Sequence, residues 1–89
     1  MHYTPPTPAE LRRLKDELAL TGEQMARLFA LAGGQQWRKY TGGVEPREMS
    51  VSMLFFGAAR LELGERDIER VLTRMRAMGA EVSLDPLSR

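Results

Sequence analysis

One short segment of the chain carries four polar side chains suited to nucleic-acid recognition: Gln35, Gln36, Arg38 and Lys39. Glutamine can hydrogen-bond adenine through N6 and N7, and arginine can bind guanine O6 and N7 with two hydrogen bonds. Trp37 and Tyr40 lie in the same segment at spacing i, i+3, which places both aromatic rings on one side of a helix. We expect the rings to face the protein interior and the polar side chains to face outward.

This pattern predicts two kinds of contact with DNA, one with the bases and one with the phosphates. The predicted base-reading residues are Gln35, Gln36 and Arg38. The predicted phosphate-binding residues are Thr21, Arg27, Lys39 and Arg47. Arg38 has the chemistry for either a base or a phosphate, Thr21 is equally suited to capping a helix, and Arg47 to an ordinary solvated surface. The predicted helix over about 34–41, taken alone, is equally well explained as a solvated amphipathic helix.

The distribution of charge favours a nucleic-acid partner more than the total does. The whole chain has a formal net charge of +1. Residues 27–47 carry four basic side chains against Glu45 alone, which leaves a local net charge of +3. DNA-binding proteins concentrate positive charge on the docking face. A second basic series, Arg66, Arg70 and Arg74, is interleaved with acidic residues, and we interpret it as a solvated face.

Capping residues and apolar periodicity predict an all-α domain of five helices over about 8–19, 22–30, 34–41, 51–63 and 65–78. Thr7 with Glu10, and Thr21 with Gln24, form capping boxes at the first two helix starts. Gly33 and the glycine after it are predicted to break the second helix. The fourth helix is broadly apolar, so we expect it to be the most buried.

The chain is predicted to hold one domain, residues 8–79, between two smaller segments. Residues 1–7 contain two prolines and are expected to form a flexible lead-in. Residues 80–89 form a C-terminal tail in which apolar and polar residues alternate, a weak signal for a short strand. Because a single strand needs a partner, the tail together with helix 5 is the candidate dimerisation element.

Composition excludes several functional classes. The 89 residues contain no cysteine and a single histidine, His2, which lies in the lead-in. No pairing of nucleophile and base, carboxylate pair, metal-ligand set or phosphate-binding glycine loop is recognisable, so we expect no enzyme activity, no metal and no cofactor. No apolar run approaches the roughly 20 residues of a membrane span. We therefore expect a cytoplasmic protein without a membrane partner.

The segment Leu20-Thr21-x-Glu23-x-Met25-Ala26-x-Leu28 resembles helix 2 of the Cro/repressor-type, or XRE-like, helix-turn-helix family. The resemblance covers residues 9–63. It implies a lambda-repressor-like fold in which helix 3 enters the major groove of DNA. Three positions depart from the family pattern: Gly22 replaces a glutamine that commonly braces the DNA backbone, two glycines occupy the turn, and Trp37 replaces a smaller aliphatic residue.

The expected function is therefore a sequence-specific regulator that binds double-stranded DNA, a homodimeric repressor or autoregulator acting on an inverted repeat. The alternative is a protein-interaction module, antitoxin-like or host-factor-binding, that uses the same scaffold. The near-neutral total charge and the glycine at position 22 favour this alternative. The salt dependence of DNA binding distinguishes the two hypotheses.

Overall fold

A computed structural model describes residues 1–87, which contain five α-helices and no strand. The helices are α1 (Pro8–Leu18), α2 (Gly22–Leu28), α3 (Gly34–Thr41), α4 (Val51–Glu62) and α5 (Glu65–Ala77). The all-α class is confirmed. The last two residues of the C-terminal tail, 88–89, lie outside the described residues.

Both predicted capping boxes form. The Thr7 hydroxyl accepts a hydrogen bond from the Glu10 N–H, and the Glu10 carboxylate accepts one from the Thr7 N–H. The hydrogen bond from the Thr7 backbone, followed by that from its side chain, holds the pKa of Glu10 below its ordinary value. Thr21 and Gln24 repeat the arrangement at the start of α2. The first two helices thus begin where local sequence dictates.

The helix breaker between α2 and α3 differs from the prediction. α2 ends at Leu28, and Ala30 adopts a left-handed φ of 56°. The Leu31 N–H then donates to the Ala26 carbonyl over 2.8 Å, the 6→1 bond of a Schellman motif. Gly33, predicted to break the helix, has an extended φ of 177°. The chain therefore leaves α2 through an alanine, before it reaches the glycines.

The hydrophobic core lies among α1, α2, α3 and Met49, which precedes the capping residue of α4. Its buried members are Leu11, Met25, Ala26, Leu28, Phe29, Trp37, Tyr40 and Met49. Residues of α1 and α4 cover this cluster with half-buried apolar side chains. The lead-in is attached to the same region, because the Tyr3 hydroxyl donates to the Met49 carbonyl over 2.6 Å.

The prediction that α4 is the most buried helix is wrong. Gly57 is the one buried residue of α4, whereas the Phe55 side chain is 75% exposed. α4 is apolar on more than one side, but the described chain covers only the sides facing the core and α5. Apolar composition alone cannot reveal that a face is left without a packing partner.

The predicted strand in the C-terminal tail does not form among the described residues. Residues 80–87 of the tail lie against α4 and α5 without regular secondary structure, held by two arginines. Arg76 donates to the Val82 carbonyl, and Arg60 donates to the Asp85 carbonyl over 2.9 Å. Val82 and Leu84 are half-buried. The alternation of apolar and polar residues thus arises because one side of an extended segment rests on helices.

Arg60 also connects the tail to the first half of the domain. Its guanidinium donates to the Arg27 carbonyl at the end of α2 over 2.7 Å and lies 5.6 Å from the centre of the Phe56 ring. Burial lowers the pKa of Arg60, and the nearby Asp85 carboxylate partly opposes the shift. One side chain of α4 therefore contacts both α2 and the tail.

Candidate nucleic-acid interface

The inner face of α3 is formed by large side chains, as the i, i+3 spacing predicts. Trp37 is 2% exposed and Tyr40 is also buried. The Trp37 ring stacks on Phe29, with centroids 5.6 Å apart and an angle of 13° between the ring planes. A methyl group on Gly22 would lie 3.7 Å from Trp37 Cδ1. The indole therefore lies near both ends of α2, close to Gly22 at its start and stacked on Phe29 at its C-cap. These contacts fix α3 against α2.

The predicted nucleic-acid-binding residues of α3 are not equivalent in the structure. Gln35 and Lys39, one helical turn apart, are exposed on the side opposite Trp37. Arg38 is exposed beside them, whereas Gln36 is half-buried. Three of the four polar side chains thus form a continuous outward surface, and Gln36 lies at its edge.

Contacts from outside α3 hold its C-terminal end. Arg12 of α1 donates to the Thr41 carbonyl, which places a cation where the helix dipole is negative. The Arg47 N–H donates to the Lys39 carbonyl over 2.7 Å. This bond brings the loop after α3 back to the helix, so that exposed Arg47 lies near Lys39.

A glutamate from α2 caps the N-terminus of α3. Gly33 at the cap position has no side chain to do so, and the Glu23 carboxylate accepts the Gly34 N–H over 2.8 Å. A methyl group on Gly34 would lie 3.0 Å from Glu23 Oε1 and 3.4 Å from Arg38 Nη1. Sequence reasoning missed this role of Glu23. The signal for it was a helix start without a Ser, Thr, Asp or Asn cap.

Loss of this cap should cost measurable stability. For Glu23→Ala we expect the free energy of unfolding to fall by about 0.5–2 kcal/mol, the range for removal of a helix N-cap. Urea unfolding followed by circular dichroism measures the change. Glu17→Ala, on the exposed side of α1, serves as the matched control and should have little effect. Equal stability of the two variants would contradict the capping role.

The two predicted phosphate contacts on α2 have different surroundings. The Thr21 N–H donates to Gln24 Oε1 over 2.8 Å, so this amide is already used within the capping box. The Thr21 hydroxyl accepts from the Gln24 N–H and keeps its own proton to donate. Arg27 is exposed at the other end of α2. Thr21 can therefore contact a phosphate only through its hydroxyl.

The cations of α3 and its following loop are not neutralised within the described chain. The ion pairs found in residues 1–87 join Arg70 with Asp67 and Arg76 with Glu69, all on α5. Arg38, Lys39 and Arg47 are thus available to external anions. The Glu23 carboxylate lies on the Arg38 side of α3, because both side chains approach Gly34.

Comparison with known proteins finds no matching family model, no similar curated protein and no similar solved structure. Within residues 1–87, no helix is both long enough and apolar enough to cross a membrane.

Proposed function

We propose that the chain is a non-enzymatic regulator that binds double-stranded DNA through a helix-turn-helix formed by α2 and α3. It acts as a homodimer on an inverted repeat, and α3 enters the major groove. The proposed output is repression, in which the bound protein blocks polymerase. The observation that carries the proposal is a short helix whose inner face is fixed by Trp37 while its outer face presents exposed Gln35, Arg38 and Lys39.

Geometry supports a division of the contacts within this proposal. Gln35 lies in the first turn of α3, the part of a recognition helix that reaches base edges. Arg38 follows on the adjoining side and is suited to guanine, while Gln36 has a secondary part because it is half-buried. Lys39 and Arg47, near the far end of the helix, are suited to phosphates.

The remaining proposed phosphate contacts come from α2. Thr21 contributes its hydroxyl at the start of the helix and Arg27 its guanidinium near the end. These contacts position α3 without reading sequence.

A protein-interaction function is the second candidate, and one observation favours it. The Glu23 carboxylate occupies the N-terminus of α3, where a DNA-binding helix commonly meets the negatively charged groove. A protein partner with basic side chains would fit this end of α3. DNA remains the better-supported ligand because three cations lie along the rest of the surface.

Selection of duplexes from a random library at near-physiological salt tests the proposal. We expect enrichment of a palindrome with half-sites about one helical turn, roughly 34–36 Å, apart. Affinity for the enriched duplex should fall steeply as salt rises, because bound cations displace condensed counterions. Absence of any enriched motif would overturn the DNA-binding proposal and favour the protein-interaction function.

Substitutions on α3 should separate base contacts from phosphate contacts. Arg38→Ala, or Gln35→Ala with Gln36→Ala, should reduce discrimination at particular base pairs by about 1–3 kcal/mol for each bidentate pairing with a base that is removed. Lys39→Ala should weaken binding to all duplexes alike and reduce the salt slope by about one. Titration of matched and mismatched duplexes at several salt concentrations measures both effects.

Arg66→Ala provides the matched control, because it also removes one exposed cation but does so on α5. It should leave affinity and discrimination close to those of the unsubstituted chain. If Arg66→Ala and Lys39→Ala weaken binding equally, α3 is not the docking surface.

A further inference from the structure

One side of α5 carries apolar side chains that residues 1–87 leave uncovered. Val71 is 51% exposed, Met78 is 79% exposed, and Leu63, just before the helix, is 42% exposed. Asp67 and Arg74 lie between these residues in the sequence. We call this set of five residues the α5 stripe. An open groove of about 1010 Å³ is lined by four of them, all but Met78, together with neighbouring residues of α5.

The spacing places the α5 stripe along one side of the helix. Its members follow one another at intervals of four, four, three and four residues, and steps of three or four residues keep side chains on one face of a helix. Leu72 is buried and Ile68 half-buried on the side of α5 that faces the rest of the domain. The stripe is therefore separate from the surface that attaches α5 to its own chain.

The chemical order of the α5 stripe suits a second copy running in the opposite direction. From one end to the other the residues are apolar, acidic, apolar, basic and apolar. In an antiparallel pair around a two-fold axis that passes between Arg70 and Val71, Asp67 of each copy faces Arg74 of the other, and Leu63 faces Met78. A parallel pair would place like charges opposite each other. The stripe is complementary to itself in one orientation only.

We propose that the α5 stripe is the homodimer surface of this protein, with antiparallel α5 helices joined by two Asp67–Arg74 ion pairs. The inference deepens the homodimer part of the proposed function and needs no contribution from DNA. It also removes the tail from the interface, because Arg60 and Arg76 already bind the tail carbonyls within one chain. The tail instead binds the side of α5 that carries Arg76, away from the stripe.

Asp67 already has an ion-pair partner within its own chain, but the pair is weak enough for Asp67 to bind Arg74 of a second copy instead. Asp67 faces Arg70 of the same helix at 3.9 Å, and the Arg70 side chain is 85% exposed. Such an exposed pair contributes little stability. Arg70 lies beside the stripe and next to the two-fold axis, so its long side chain must extend into solvent in the dimer. The interface is therefore selected by Asp67 with Arg74, and Arg70 takes no attractive part.

Charge reversal in the full-length chain tests the proposal by sedimentation velocity in the absence of DNA. The unsubstituted chain should be a dimer. Asp67→Arg and Arg74→Asp should each weaken self-association at least tenfold, roughly the effect of facing like charges. A mixture of the two variants should form a heterodimer, and the double variant D67R/R74D should recover the homodimer. A merely misfolded variant could not show this reciprocal rescue.

Glu17→Arg is the matched control, since it reverses an exposed carboxylate on α1, outside the groove that the stripe lines, and should leave dimerisation unchanged. A monomeric unsubstituted chain, single variants that dimerise normally, or failure of both rescues would overturn the proposal. Because the readout contains no DNA, each of these results leaves the proposed DNA contact through α3 standing, although a monomeric chain would also remove the homodimer from the proposed function. Conversely, loss of the duplex-selection signal with intact reciprocal rescue would reject DNA binding alone.

Discussion

Replacement of Trp37 by alanine should cost about 3–5 kcal/mol of unfolding free energy, the range for removing a buried large aromatic side chain. The indole is 2% exposed and stacks on Phe29, so its loss opens a cavity between α2 and α3. Native domains have only about 5–15 kcal/mol of stability in total. At about 4–8 °C per kcal/mol for a small domain, the melting temperature should fall steeply.

Phe55→Ala is the matched control for this experiment, because it removes an aromatic side chain that is 75% exposed. It should change stability far less than Trp37→Ala. Thermal unfolding followed by circular dichroism suits both variants, since Trp37 is the only tryptophan and its replacement abolishes the fluorescence signal. Similar losses in the two variants would show that Trp37 does not organise the packing of α3.

Features that depend on neighbouring residues in the chain could be predicted from the sequence. The helix starts follow from capping boxes at Thr7 and Thr21, which act within four residues. The inward direction of Trp37 and Tyr40 follows from helical periodicity alone. The outward direction of three of the four polar residues of α3 follows from the same periodicity.

Features that depend on contacts between residues far apart in the sequence could not be predicted from it. Glu23 caps α3 from eleven residues away, and nothing near Glu23 in the sequence marks it for this task. α4 exposes Phe55 because no described element covers that side, and an apolar composition gives no hint of this. The alternation in the tail predicts a strand because an extended segment lying on helices has the same period as one in a sheet.

α4 packs at Gly57 against the aromatic stack formed by Phe29 and Trp37, residues that are far from it in the sequence. This close contact predicts a large effect of a single added methyl group. Gly57→Ala should reduce the free energy of unfolding by about 1–3 kcal/mol, the usual cost of overpacking a core. A methyl group at this position would lie 2.2 Å from Phe29 Cε1 and 2.4 Å from Cδ1. In an exposed helix the same change would add up to about 1 kcal/mol of stability.

The sign of this effect is decided by whether the Phe29 ring can move. The ring is stacked on Trp37, which in turn lies close to the first residue of α2, so we expect a shift of the ring to disturb the indole. The Trp37 emission spectrum should therefore shift in native Gly57→Ala, together with the urea midpoint. Gly42→Ala is the control, because its φ of −163° suits alanine and a methyl group there meets nothing within 4 Å. A Gly57→Ala variant as stable as this control, with unchanged emission, would mean that α4 does not rest on the aromatic stack.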